Sequence, residues 1–258
     1  MALSERPYAP RGQSQFFFPV AVKWLIISNT VLFVLYFLAH AFSYDQIFSP
    51  FLLVPGMVVQ FFMIWQLVTY MFLHSPLGFQ HILFNMLMLW FFGVELEQAW
   101  GTKKFLKYYF FCGIGAGISV VIANALFGSM SSRTLGASGA IYGLILAFVL
   151  MDPERIVNFN FVFPIKAKYM GLILGGISFL STITDSGGGV SHVAHLGGML
   201  WGYAFLRTQM GGKRPIGFRA GQRKEVGIFE QAQRSYHEWK MERARRKFQV
   251  YMNKNREK

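Results

Sequence analysis

The chain has 258 residues, of which 53% are apolar and 14% charged, with a formal net charge of +13. That composition excludes an ordinary soluble domain and a disordered chain, and the clustering of charges between apolar stretches or at the two ends points to a multi-span membrane protein. The excess positive charge does not mark a nucleic-acid partner, because no recognisable binding fold accompanies it.

Residues 1–19 read as a cytoplasmic N-terminal segment. The first apolar stretch, with its charge-free run at 25–44, is too long for the apolar region of a signal peptide and lacks a small-residue cleavage site, so a permanent span is expected. Residues 46–94 contain no Asp, Glu, Lys or Arg and are too long for one spanning helix of about 20 residues. Pro55, Gly56, Pro76 and Gly78 break the first part, which reads as a loop rich in Phe, Leu and Met that dips into the outer leaflet. The second span then starts near Gln80 and runs to about Gln98. Charge-free runs at 108–132, 134–151, 169–184 and 186–206 supply four more. The expected fold is an all-α membrane protein, a six-transmembrane-helix bundle over 20–208 followed by a basic cytoplasmic tail over 209–258. Cys112 is the single cysteine, so neither an intramolecular disulfide nor a cysteine metal site is available, and nothing in the sequence calls for a cofactor.

Charge sets the orientation. Arg6, Arg11 and Lys23, then Lys103, Lys104 and Lys107, then Arg155, Lys166 and Lys168, and finally the tail all fall on one side of a six-span topology, hence the cytoplasm. The opposite loops, 45–79, 128–136 and 185–190, hold only Asp45, Arg133 and Asp185 as charges. After residue 208, fourteen Lys or Arg face five Glu. Interleaved aromatics from Phe218 to Tyr251 suit a helix lying on anionic lipid headgroups, although a solvated tail that merely enforces topology is the plainer reading of the charge.

On this topology three spans begin outside with polar residues: His81 and Asn85 on the second, Ser138 on the fourth, and His195 on the sixth. At 1.5 Å rise per residue these lie roughly 5–12 Å below the outer surface. Polar groups at that depth are costly and usually functional. Gly139 and Gly143 on span four and Gly198 and Gly202 on span six form small-xxx-small faces that allow close helix approach. A serine hydroxyl needs a base to become a nucleophile, and histidine is the usual base near neutral pH. Tyr142, one turn below Ser138, offers a ring against which His195 can stack. His81 and Asn85, four residues apart on one helix face, could both aim at a developing oxyanion, with the Ser138 N–H as a third donor. Alone, Ser138 fits a packing residue and His81 with Asn85 an interhelical clamp; His74 and His192 read as interfacial or structural. Occurrence of the whole set at one side favours catalysis over a channel or transporter that relays ions through buried His and Asn.

These residues resemble the rhomboid family of intramembrane serine proteases. The match comprises His81-Ile82-Leu83-Phe84-Asn85, Gly136-Ala137-Ser138-Gly139, and Ala194-His195-Leu196-Gly197-Gly198 followed by Gly202. The resemblance implies that Ser138 is the nucleophile, His195 the general base, His81 and Asn85 parts of the oxyanion hole, and Tyr142 the ring that packs His195. It selects His195 over His192 by the glycines three and seven residues later. It further implies an outward-opening catalytic cavity, single-span membrane protein substrates whose helices must unwind before cleavage, and residence in the membrane; the short N-terminus, the lack of a targeting peptide and the bare six-span core point to a bacterial inner membrane. Glu97, Trp100 and Gly101 are similar to the family's end of span two and imply a structural role. Many relatives carry a Trp-Arg pair in the first outer loop, where this chain has Trp65-Gln66. A non-catalytic rhomboid-like protein that binds membrane helices is the competing expectation; such relatives usually lack the Ser or the His.

Overall fold

A computed structural model describes residues 19–159, 163–184 and 190–209. Contacts divide the chain into two units, 1–217 and 218–258, and every described residue belongs to the first. The expectations for the N-terminal segment, Asp185 and the basic tail fall outside the described residues.

The first helix, α1 (Val20–Ala41), starts at residue 20, where the bundle is expected to begin, and takes in Lys23 ahead of the charge-free run at 25–44. What holds that start lies 75 residues away. The Glu97 carboxylate accepts the N–H groups of Ala21 and Val22, each at 2.9 Å, and the Thr102 hydroxyl at 2.6 Å. First-turn N–H groups have no partner within their own helix, and a carboxylate there also meets the positive end of the helix dipole.

The segment expected as an outer loop is instead a succession of short helical turns: a 3-10 turn over Asp45–Phe51, α2 (Pro55–Phe61), α3 (Gln66–Thr69) and a 3-10 turn over Tyr70–Phe72. Proline at the first position opens α2, and Phe62 in the left-handed region, at φ +55°, closes it. Backbone with little access to water must bond to itself, and helical turns achieve this locally. Trp65-Gln66 anchors the segment without a charge. Buried Gln66 accepts the Val54 N–H at 3.0 Å and donates to the Pro50 carbonyl at 3.2 Å, and the Trp65 indole donates to the same carbonyl at 3.0 Å. A two-way pairing of Leu53 with Thr134, at 3.0 and 2.9 Å, ties the segment to the stretch before Ser138.

Only Gly101, at φ +78°, separates α4 (Phe79–Trp100) from α5 (Thr102–Phe127). Lys103, Lys104 and Lys107, expected between spans, therefore ride on the first turns of α5, where long stems let their ammonium groups reach water. Helix α5 is the core of the fold, with Phe105, Tyr108, Tyr109, Cys112, Ala116 and Val120 fully buried. Against it pack α6 (Ser138–Met151) and α8 (Val190–Gln209), and α7 (Ala167–Thr184) packs on α8 and α6. By length and apolarity α1, α4 and α5 could each cross a membrane, and α6 is a shorter apolar helix.

The all-α expectation needs one correction. Strands β1 (Ile156–Phe159) and β2 (Phe163–Lys166) pair antiparallel, with Ile156 opposite Lys166, in a stretch of β-branched and aromatic residues suited to strands. Arg155 fixes the hairpin to α4 through two 2.6 Å bonds to Glu95 and lies over the Phe148 ring. Lys166 and Lys168 both donate to Glu154 and hold its carboxyl down at about 2.

Helices α6 and α8 touch backbone to backbone. A Cβ on Gly198 would overlap the Gly139 carbonyl, and one on Gly139 would come within 2.6 Å of the Ala116 methyl on α5. Gly143 faces Cys112 of α5 as well as the Gly198 carbonyl, and Gly202 faces the Tyr108 hydroxyl. The glycine faces thus seat α6 against α5 and α8 together, closer than any side chain would allow.

Candidate active site

The first turns of α4 and α6 and the second turn of α8 converge on a cavity of about 410 Å3, lined by Gln80, His81, Phe84, Asn85, Leu135, Ser138, Tyr142 and His195. All five residues singled out from the sequence are in this set. Their relative placement follows from the glycine-mediated contact of α6 with α8, which leaves room for one hydrogen bond between side chains at its upper end.

That bond joins His195 Nε2 to Ser138 Oγ at 2.9 Å. The imidazole plane is held by Tyr142, whose ring lies parallel to it at 4° with centroids 4.0 Å apart. Tyr142 is one turn after Ser138 on α6, so a single helix carries both the hydroxyl and the surface that orients its partner. On the far side of the imidazole, Nδ1 stands 3.5 Å from the hydroxyl of Ser178 on α7. His192 meets the same ring edge-on, at 5.8 Å and 86°, and does not line the cavity.

The opposite wall is α4. His81 packs between the ring of His74, at 5.2 Å, and the backbone at Gly136. Gly136 has φ +119°, and a Cβ there would stand 3.0 Å from His81 Nε2. Glycine is thus required twice, for the left-handed backbone and for the approach of the imidazole. Asn85 is buried, and its Nδ2 donates to the His81 carbonyl at 2.7 Å. One of its two amide hydrogens is therefore committed to its own helix, and only the second can serve the cavity. Ser138 opens α6, and an N–H in a first turn has no intrahelical partner.

Among the described residues the lining contains no carboxylate, lysine or arginine. A negative charge that develops here would meet hydrogen-bond donors and the end of a helix, an environment suited to stabilising an oxyanion. Gln80, Phe84, Leu135 and Ser178 were not singled out from the sequence. Gln80 and Phe84 flank the polar pair on the same turns of α4, and Ser178 is a hydroxyl inside an apolar helix, a weak signal that small-residue packing also produces.

Residues 62–210, more than half of the chain, match the family profile described as Rhomboid domain. Among curated proteins the chain is 32% identical over 145 residues to RHOMBOID-like protein 12, mitochondrial, of Arabidopsis thaliana, covering 51% of this chain and 42% of that protein. It is 29% identical over 205 residues to Rhomboid protease GluP of Bacillus subtilis, covering 69% and 36%. It is 26% identical over 219 residues to Rhomboid protease AarA of Providencia stuartii, covering 78% and 77%. The chain spans about two fifths of the length of the first two.

Proposed function

Because the chain belongs to the rhomboid family of integral membrane proteins, we propose that it is an intramembrane serine endopeptidase that cleaves transmembrane helices of membrane protein substrates with a Ser138–His195 dyad. The observation that carries this reading is the 2.9 Å contact between Ser138 Oγ and His195 Nε2 beneath a cavity that opens on both.

In the proposed reaction Nε2 takes the hydroxyl proton as Oγ attacks the substrate carbonyl. The oxyanion then lies within reach of the Ser138 N–H, His81 and the free Asn85 hydrogen. The imidazolium returns its proton to the departing amine, the C–N bond breaks, and an acyl-enzyme remains. Water deprotonated by His195 then attacks the ester, and the proton goes back to Ser138 Oγ. Tyr142 keeps the imidazole in plane throughout.

In this reading α1, α4, α5, α6, α7 and α8 are six spans with both termini cytoplasmic in a bacterial inner membrane, and the cavity opens outward so that water reaches Ser138. A helical carbonyl is hydrogen-bonded and shielded, so single-span substrates with small residues at the cut and helix breakers nearby are the proposed class, and the basic tail rests on anionic lipid headgroups. The test is labelling of purified protein with a fluorescent fluorophosphonate. Labelling of the wild type that disappears in both Ser138→Ala and His195→Ala supports an activated serine, and equal labelling of wild type and Ser138→Ala refutes it.

A further inference from the structure

The catalytic reading leaves one question about the base: what holds its second nitrogen. For Nε2 to accept the Ser138 proton, the neutral imidazole must carry its own proton on Nδ1. Stacking on Tyr142 fixes the ring plane but not which nitrogen is protonated, since a π face does not distinguish the two tautomers.

Ser178 lies on α7 with its side chain 1% exposed, and its hydroxyl stands 3.5 Å from His195 Nδ1. A serine inside a membrane helix usually returns its hydroxyl to a carbonyl one turn back, as Thr182 does to the Ser178 carbonyl at 2.8 Å. The Ser178 hydroxyl goes instead to another helix, on the side of the imidazole opposite Ser138. The other imidazole nearby, that of His192, stands edge-on at 5.8 Å.

We propose that Ser178 is a positioning residue whose hydroxyl oxygen accepts the Nδ1–H of His195 and so holds the tautomer that leaves Nε2 free. The proposal rests on the protease reading for its consequence, but the contact stands by itself. When Nε2 takes the Ser138 proton the ring becomes cationic, and the Nδ1–H to Oγ bond becomes charge-assisted and stronger. A 3.5 Å separation in the resting enzyme is consistent with a bond that tightens along the reaction. Ser178 thereby contributes more to the transition state than to the ground state, the condition for raising kcat.

The test joins a spectroscopic readout to a kinetic one, on the full chain in detergent micelles. Nitrogen-15 NMR of histidine-labelled protein reports which nitrogen of His195 is protonated, and cleavage of a single-span substrate gives kcat and KM. The wild type is expected in the Nδ1–H form. Ser178→Ala is expected to populate the Nε2–H form and to lower kcat about 10-fold with KM little changed, while Ser178→Thr, which keeps the hydroxyl, restores both. If Ser178→Ala does not fold, Ser178→Cys, close in size but a weak acceptor, carries the same comparison. An unchanged tautomer overturns the proposal whether kcat falls or not, because a fall alone would reflect packing. A tautomer that shifts in a protein that cleaves nothing upholds the Ser178 contact and sinks the protease reading.

Discussion

A methyl group added at Gly198 should part the two reacting side chains without touching either. Gly198 lies three residues after His195 on α8, and its Cβ would overlap the carbonyl of Gly139, the residue after Ser138 on α6. Relief of that overlap to an ordinary carbon–oxygen contact of roughly 3.3–3.6 Å requires α6 and α8 to separate by at least about 1 Å. The 2.9 Å bond between Ser138 and His195 then lengthens to about 4 Å, beyond hydrogen-bond reach. A misplacement of about 1 Å at a reacting pair costs on the order of 100-fold in rate, so Gly198→Ala should lower kcat by about that factor. The methyl also raises helix propensity by about 1 kcal/mol, which offsets part of the strain, so the loss of rate should exceed the loss of stability. The assay is cleavage of a fluorogenic single-span substrate in micelles beside a thermal melt, with Gly176→Ala on α7, whose Cβ would meet nothing within 4 Å, as the control. A folded Gly198→Ala protein that cleaves within about threefold of wild type would refute the claim that backbone contact of α6 with α8 sets the dyad geometry.

Glu97→Ala should lower stability by about 3 kcal/mol, since it leaves two first-turn N–H groups of α1 without their carboxylate; chemical unfolding in micelles measures it. Tyr142→Phe should retain cleavage close to wild type, whereas Tyr142→Ala should lose up to about 10-fold, the value of one ring stack of about 1.5 kcal/mol; steady-state kinetics separates the two. Asn85→Ala should lower kcat by about 10-fold or more with the fold intact, and its melting temperature should fall little because, among the described residues, the amide donates to its own helix.

Helix periodicity and the parity of the spans made much of the site legible. A spacing of four from His81 to Asn85 put them on one face of α4, and the expected six-span topology brought the starts of α4, α6 and α8 to one side. The glycine pairs Gly139 with Gly143 and Gly198 with Gly202 signalled close approach, because a bare backbone at one-turn spacing has that use in a membrane. What escaped depends on partners remote in sequence. The bonds that hold the start of α1 come from Glu97, which no window around residues 20–25 contains. The short helices between Asp45 and Phe72 are held by Gln66 and by pairing with Thr134, so Pro and Gly alone suggested only a loop. The paired strands Ile156–Phe159 and Phe163–Lys166 sit between two apolar helices in a stretch where charge counting reports orientation and is silent on strand pairing. The commitment of one Asn85 hydrogen to the His81 carbonyl is a choice between two geometries that the same four-residue spacing permits. Ser178 reads from sequence as one small polar residue among many, and only the position of α7 against α8 gives it a target.

The central claim is that Ser138 and His195 together break peptide bonds within a membrane. The most direct measurement is incubation of the purified full chain with a single-span protein that carries small and helix-breaking residues in its span, followed by mass spectrometry of the products. Two fragments that meet within or beside the span, formed by wild type and absent with Ser138→Ala and His195→Ala, are the expected result. An intact substrate with well-folded wild type, or fragments that persist in Ser138→Ala, would contradict it.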